Sequence, residues 1–404
     1  MTARVAVVGG GPAGLMAAEV LAGGGVDVVV FDRMPTPGRK LLRAGWGGLN
    51  LTHSEPLPAL LDRYGPARDR LAPAIEAFDP AALRAWCESL GLDTMVGSSG
   101  RVFPVGLRAA PLLRAWLGRL GELGVELRLG HRWHGWTDDG ALELTDSAGA
   151  TTTVEADATV LALGGASWSR LGSDGAWVEP VAAAGIDVVP LRPANCGFVV
   201  AWTAPFRDRF QGVPLKDVAL SHGRLRSRGD AVVTATGLEG GAVYGVSRAV
   251  REALEAGRPA TLRIDLRPDQ TVAELAERLR RHRPKDSRAT AMRRGARFQP
   301  VDIGLLREVT GNRLPDEPED LARLAKRLDV TTTAAQPLDR AISTAGGIAL
   351  DEVDDTFMLR RRPGTFVAGE MLDWEAPTGG YLLQATFSSA VAAATGALAW
   401  LHGG

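Results

Sequence analysis

An α/β fold is what this sequence predicts, a parallel-sheet domain built from both ends of the chain with an insert between them. Three observations predict it. From residue 4 to residue 31 a short apolar run, a glycine turn, a helical stretch and a second apolar run follow one another, which is the order of a βαβ unit. Near residues 190–193 the pattern changes to short strands with polar turns and then to Arg-rich helical periodicity. Past Pro337 it reverts, with a strand at 366–368 ending on Gly369 and an Ala-rich apolar helix at 387–401 that returns to the first domain.

Taken in order, residues 4–8 (RVAVV) and 26–31 are β-branched runs flanking a helix over 15–21. Residues 35–52 are rich in Gly and basic side chains without a clean period, and predict a long loop wrapped around something. Residues 56–91 and 110–123 read as helices, and 125–129 (VELRL) returns to strand. Alternation over 133–154, broken by turns at 138–140 and 146–149, predicts an antiparallel meander. Residues 158–163 (ATVLAL) form a buried strand stopped by Gly164 and Gly165. The expected domains are therefore 1–188, with a helical excursion over 54–124, the insert 189–340, and a return over 341–404. Within the insert a β part spans 189–245 and 328–340, and a helical part spans 246–327.

The 46 basic and 47 acidic side chains nearly cancel, so no global field draws the chain to nucleic acid or an anionic membrane, and a small-molecule substrate is expected. Two distant cysteines, Cys87 and Cys196, exclude a disulfide framework and a CxxC relay. No apolar run reaches the roughly 18 residues of a membrane span, and no signal-peptide pattern precedes the first strand. A cytoplasmic protein is expected. Abundant Gly (49) and scarce Tyr (3) suggest a GC-rich bacterial genome.

The chemistry begins at VAVVGGGPAG, where Gly9, Gly11 and Gly14 stand at GxGxxG spacing between strand and helix. Gly9 makes the tight turn, Gly11 lets backbone approach a pyrophosphate, and Gly14 permits close helix packing. Pro12 and Ala13 open the helix whose free N–H groups face the phosphates. Asp32, 18 residues after Gly14 and followed by Arg33, ends the second strand where an acid accepts from ribose hydroxyls. This half suits NAD or FAD alike. The far end decides for FAD: in TFVAGE, Gly369 and Glu370 follow a strand, placing an acid for ribityl hydroxyls. Then Thr378, Gly379, Gly380 and Tyr381 open the last helix, whose dipole suits negative charge on a reduced flavin.

The chain resembles the BaiN-type, YhiN-like bacterial flavoproteins, described as NAD(P)/FAD-dependent oxidoreductases or aminoacetone-oxidase-like enzymes. The resemblance rests on GGGPAG, PGRKLL (37–42), GLNLTH (48–53), GRVFP (100–104), ALGGASW (162–168), GEMLD (369–373) and TGGYLLQATFSSA (378–390), in that order. It implies a Rossmann-like, glutathione-reductase-like FAD domain interrupted by a β-barrel-like insert with a helical subdomain. It also implies that Arg39, Lys40 and the adjoining Leu41 sit near the phosphates or flavin edge, and that Gly45, Asn50 and Leu51 carry the flavin loop, Asn50 reaching the isoalloxazine. Backbone near Trp133 would meet the adenine, Ala162 and Gly164 would border the cofactor, and Glu370, Asp373, Gly380, Tyr381 and Leu382 would line its ribityl and flavin end. Where the family reads SGGGRCN, this chain has AGWGGLN, with Trp46 inside the pattern and the Arg and Cys absent. That departure implies a divergent subfamily with a different flavin face.

His53, in the flavin loop, is a candidate for proton exchange, with a plain surface histidine as the competing reading. Tyr244, in GGAVYGVSR, is a candidate to face substrate with Ser247 or Arg248 behind it, domain packing being the alternative. His131 and His134 lack further ligands at metal spacing, so no metal site is expected. The basic stretch 278–297, including Arg280, Arg281, Arg283 and Lys285, is either a solvated helical face or a contact for RNA. No nucleophilic triad, P-loop or second GxGxxG is visible. The expected activity is hydride transfer at flavin N5 with a small organic substrate, using NAD(P)H as a transient reductant or oxygen as acceptor. An FAD-dependent RNA-modifying enzyme and a non-catalytic redox-sensing flavoprotein are the rival readings.

Overall fold

Strand β1 (Arg4–Val8) is a run of small and β-branched side chains whose last four residues are buried. It lies at the centre of a five-stranded sheet with β2 (Asp27–Asp32), β3 (Glu126–Leu129), β4 (Ala158–Leu161) and β5 (Thr365–Val367), in the order β5-β4-β1-β2-β3. Every pairing in it is parallel. Burial on both faces explains why β1, β2 and β4 read as continuous apolar runs, whereas the edge strand β3 (ELRL) does not. Helix α1 (Pro12–Gly23) connects β1 to β2 and packs between the sheet and the C-terminal helix, Tyr381–Gly403. The meander expected over 133–154 is present as Arg132–Trp136, Leu142–Thr145 and Thr151–Val154, inside the connection from β3 to β4.

This computed structural model describes residues 2–281 and 287–403. It divides into two compact units, Met1–Arg192 with Ser343–Gly404, and Pro193–Ile342. Each unit has its own apolar core.

In the second unit a seven-stranded antiparallel sheet runs Leu328–Thr332, Ala260–Asp265, Pro214–His222, Leu225–Thr234, Gly237–Glu239, Phe198–Val199 and Ala334–Ala335. Its two outermost strands are separated in the chain by Thr333 alone. One bent segment therefore pairs with both margins of the sheet, which curls it toward the closed form of a barrel. Helices Val272–Arg280, Arg288–Gly295, Pro300–Val309 and Pro318–Lys326 supply the helical part.

The structure corrects four local expectations. The loop expected over 35–52 contains helix α2 (Arg39–Ala44) and a helical turn at Gly45–Gly47. Six residues are too few to display a helical period, and left-handed Gly38 starts the helix. The helical excursion 54–124 holds short strands at Thr94–Val96 and Arg101–Pro104, with a Ser-Ser-Gly turn between them. The helical part 246–327 contains the strand Ala260–Asp265, whose alternating burial is plain once its helical flanks are set aside. The C-terminal helix is, by length and composition, long and apolar enough to span a membrane, against the expectation that no run is. It is a core helix instead: its buried Gln384 accepts from Thr52 Oγ1 (2.6 Å) and donates to the Phe78 carbonyl (2.7 Å).

Candidate active site

The glycine turn after β1 is built as its chemistry requires. Gly9 has φ +113°, its N–H donates to the Phe31 carbonyl (2.7 Å), and a side chain there would run into the Ala162 carbonyl. A Cβ on Gly14 would collide with the Gly9 carbonyl. At Gly11, by contrast, a Cβ would point into open space, the room a pyrophosphate needs. Pro12 at the first helical position gives up no hydrogen bond, and the N–H groups that open the 12-residue α1 are directed at that space.

Asp32 closes the far side. Its Oδ2 accepts from Gly10 N (2.6 Å) and its Oδ1 from Met34 N (2.7 Å), which fixes the carboxylate at the end of β2. Burial raises its pKa above the usual aspartate value, outweighing those two hydrogen bonds. Carboxylate oxygens have lone pairs to spare for ribose hydroxyls. Arg33 is committed elsewhere: it pairs with Asp174 (2.9 Å) and donates to the Gly172 and Ser169 carbonyls (3.2 and 3.1 Å), so the nearby acid has taken the charge expected at the cofactor.

Segments far apart in the chain meet at the other end of this groove. Lys40 Nζ, on α2, lies 2.6 Å from Glu370 Oε2 and 2.8 Å from Ser167 Oγ. Glu370 Oε1 accepts from Thr344 N (2.8 Å), and Thr344 Oγ1 accepts from Ala166 N (2.9 Å). Gly369, at φ +75°, packs so closely on the first turn of α1 that a Cβ would touch Ala13. The first and last parts of the chain are thereby joined on one cradle. Gly164 faces Ser173, and its carbonyl accepts from Trp177 Nε1 (2.8 Å). Ala162, Leu41 and Leu51 are core side chains, which leaves only their backbone for a ligand. Gly45 packs against Ala109. Asp373 is held by backbone at Gly346, and burial raises its pKa against the opposing charge of Arg192.

The residues of this cradle fit a flavin dinucleotide. Arg39 Nε, Asn50 Oδ1, Trp133 Nε1 and Ser173 Oγ are buried without a hydrogen-bond partner. A buried polar group without a partner costs about 1–3 kcal/mol. These are four of nine such side-chain atoms among the described residues, and all four lie on or beside segments expected to hold the cofactor.

Gly379 and Gly380 have φ +141° and +97°, and a Cβ on Gly380 would enter the Thr52 backbone, so the start of the C-terminal helix is wedged against the flavin loop. The Tyr381 ring stacks on His53, with centroids 5.4 Å apart at 21°. The Arg63 guanidinium lies over the Tyr381 ring, 5.6 Å from the centroid, and burial followed by the Glu55 carboxylate pushes the phenol's pKa up. Glu55 also takes a two-point contact from Arg63 (3.0 and 2.7 Å), which holds its carboxyl below the usual range although burial acts the other way. His53 is engaged at both nitrogens: Nδ1 accepts from Glu55 N (3.1 Å), and Nε2 is then the donor to the Ser99 carbonyl (3.0 Å). An imidazole so tied is a structural brace, against its candidacy for proton exchange. Leu382 beside it is half-buried.

Tyr244 belongs to the second unit and ends the short helix Gly241–Tyr244, where burial pushes its phenol up to about 12. Ser247 is not behind that phenol as expected, since its hydroxyl donates to the Tyr244 carbonyl (2.8 Å). Of the basic stretch, Arg280 and Arg281 pair with Glu277 (3.5 and 3.2 Å), an ion-laced helical face. Arg283 and Lys285 lie outside the described residues. Sequence reasoning passed over Ser167, Thr344, Glu55 and Arg63. The first stood in ALGGASW, but its role depends on a lysine 127 residues away.

A family model described as HI0933-like protein Rossmann domain matches residues 3–396. The chain belongs to this family. Among curated proteins it is 27% identical to a 3-dehydro-bile acid delta(4,6)-reductase of Clostridium scindens, over 94% of this chain and 95% of that one. It is 24% identical to a ribosomal RNA dihydrouridine synthase of Haemophilus influenzae, over 96% of each. Among solved structures the fold matches a 3-ketosteroid-delta4-(5alpha)-dehydrogenase of Rhodococcus jostii RHA1 (18% identity, TM-score 0.51, 99% of this chain and 97% of that one). It also matches a 3-ketosteroid delta1-dehydrogenase of Sterolibacterium denitrificans (13%, TM-score 0.53, 98% and 99%). The HI0933-like chain is an FAD-dependent oxidoreductase, and FAD is its cofactor.

Proposed function

We propose that this flavoprotein reduces a small organic substrate by hydride transfer at flavin N5, drawing its electrons from NAD(P)H. The observation that carries the reading is the cradle in which Lys40, Glu370 and the start of α1 converge beside buried, partnerless Asn50 Oδ1. Bound FAD supplies the hydride chemistry; the chain supplies position and charge. Asn50 Oδ1 would accept a hydrogen bond from the bound flavin. The wedged start of the 23-residue C-terminal helix offers its positive dipole end to negative charge. Lys40 holds Glu370 in place, and Asp32 with the open face at Gly11 would hold the adenosine and pyrophosphate end. The phenol of Tyr381 stays protonated at neutral pH, and the Glu55–Arg63 pair stands beside the flavin loop. The two curated relatives named above bear names that describe the addition of hydrogen, which favours reduction over oxidation.

Anaerobic stopped-flow with NADH, NADPH and amines, followed at the flavin band near about 450 nm, tests the reading. Bleaching by a nicotinamide, reversed by an unsaturated carbonyl compound, is expected. A bound flavin that no reductant bleaches would leave the redox-sensing alternative, and bleaching by amines alone would mean an oxidase. The RNA reading has the Haemophilus influenzae relative in its favour, yet two arginines of its supposed contact face, Arg280 and Arg281, are paired with Glu277. Salt-sensitive binding of ribosomal RNA would revive it.

A further inference from the structure

A cleft of about 420 Å³ opens at the amino-terminal ends of β4 and β5. The glycine turn and Glu370 stand beyond the carboxyl ends of the same sheet, where the main ligand of a parallel α/β fold lies, so this cleft is separate from the cradle. Its floor carries two hydroxyls. Thr159 and Thr365 stand opposite each other in the register of β4 and β5, so their side chains share one face of the sheet. Each residue is 7% exposed, and neither hydroxyl has a hydrogen-bond partner among the described residues.

The wall of the cleft is Trp136, with the Arg362 guanidinium carbon 4.2 Å from its ring centroid. The indole also meets Trp133 edge to face, with centroids 4.9 Å apart at 87°. Trp136 thus serves to hold Arg362, whose N–H edges stay free because only its face is stacked. The turn that carries Arg362 is pinned at two points: Thr365 N donates to the Arg362 carbonyl (3.0 Å) and Thr159 N to the Gly364 carbonyl (2.9 Å). The guanidinium makes no hydrogen bond or ion pair among the described residues, and burial lowers its pKa with no acid acting against it. Its neighbour Arg361, by contrast, is paired with Glu352 (3.0 Å), and Asp157 at the rim accepts from Arg4 N (2.7 Å).

We propose that this cleft is a second ligand site, one that takes a phosphoryl anion on the Arg362 fork and the hydroxyls of Thr159 and Thr365. The guanidinium edge by itself occupies both oxygens of a carboxylate. Two further hydroxyl donors call for an anion with three or more oxygens, as a phosphoryl group has. The volume is that of a small-molecule site, for which about 300–1,000 Å³ is usual, and it exceeds what bare phosphate fills. A phosphate ester of a hydroxylated carbon skeleton therefore suits it best, with the Asp157 carboxylate available to the hydroxyls of that skeleton. The site stands independently of the reaction proposed above.

The test uses the FAD-loaded full chain, in which the groove at Gly11 is filled, in phosphate-free buffer at constant ionic strength. Isothermal titration compares glycerol 3-phosphate, inorganic phosphate and glycerol. Saturable binding of one glycerol 3-phosphate per chain is expected, with none of glycerol. A tighter fit for glycerol 3-phosphate than for inorganic phosphate identifies an ester as the ligand, and equal affinities identify the free anion. Arg362→Gln should weaken the binding at least about tenfold, as loss of a charge-assisted bond requires. Thr159→Val and Thr365→Val, which keep the side-chain volume, should each weaken it about two- to tenfold. Flavin absorbance should hold in all three variants, and the two valine variants carry the test if Arg362→Gln does not fold. Wild type that binds neither phosphate saturably, glycerol binding as tightly as its phosphate, or affinities unchanged in the variants overturns the proposal.

Discussion

Replacing Glu370 by Gln is the most informative perturbation of the cradle. In the native protein Oε2 meets Lys40 Nζ at 2.6 Å and Oε1 accepts from Thr344 N at 2.8 Å, with the two side chains 15% and 27% exposed. The amide keeps the shape and one acceptor but removes the charge, leaving Lys40 with Ser167 alone. A hydrogen bond to a charged group contributes about 1.5–3 kcal/mol, and the partial exposure of Lys40 places this loss near the lower end, at about 2 kcal/mol. For a unit of this size each kcal/mol moves Tm by about 2–4 °C, so Glu370→Gln should lower the Tm of the FAD-free protein by roughly 4–8 °C. Lys40→Met should cost a comparable amount. The double variant should cost less than the sum, since removing both charges leaves no unpaired ion behind. Differential scanning calorimetry on the four proteins measures the cycle. Single variants within about 1 °C of wild type that add without coupling would refute the claim that this pair joins the two ends of the chain.

Asn50→Leu removes the partnerless buried acceptor, and should weaken FAD binding about tenfold with little change in the Tm of the FAD-free protein, as isothermal titration would show. Burial raises the Glu55 carboxyl but its bonds to Arg63 win, leaving it below its ordinary value of 4.5. Its stabilising contribution is therefore present above about pH 4.5 and lost as pH falls through the lower folded value. Urea melts of wild type and Glu55→Gln should differ at pH 7 and converge in acid; a gap that widens in acid contradicts the assignment. Cys87 is fully buried, which pushes its thiol up to about 12. It should resist a thiol reagent at pH 8 until denaturant is added, and fast reaction in the native protein would count against the packing described.

The glycine turn and the placement of Asp32 were legible in the sequence because their constraints are local. Gly9, Gly11, Gly14 and Asp32 lie within one βαβ unit, and each answers a steric or hydrogen-bonding demand of its neighbours. Glu370 was legible by its place after a strand and a glycine, but its ion pair with Lys40 spans 330 residues and no local pattern encodes it. The same holds for Ser167 and Thr344. Arg33 was expected at the cofactor and His53 was a candidate for proton exchange; Asp174 engages the first, and Glu55 with Ser99 the second. Helix α2 escaped because six residues show no period, and the strand Ala260–Asp265 because helices flank it. The barrel-like curl of the insert depends on Thr333 bridging two sheet margins, a tertiary fact with only a weak trace in composition.

The most direct test is a titration of freshly purified, FAD-stripped protein with FAD, monitored by flavin fluorescence, alongside Gly14→Ala. Wild type should take up one FAD per chain and turn yellow, whereas the variant, whose added methyl group collides with the Gly9 carbonyl, should stay colourless while remaining folded. Wild-type protein that binds no flavin, or a Gly14→Ala variant that binds it as well as wild type, would contradict the account.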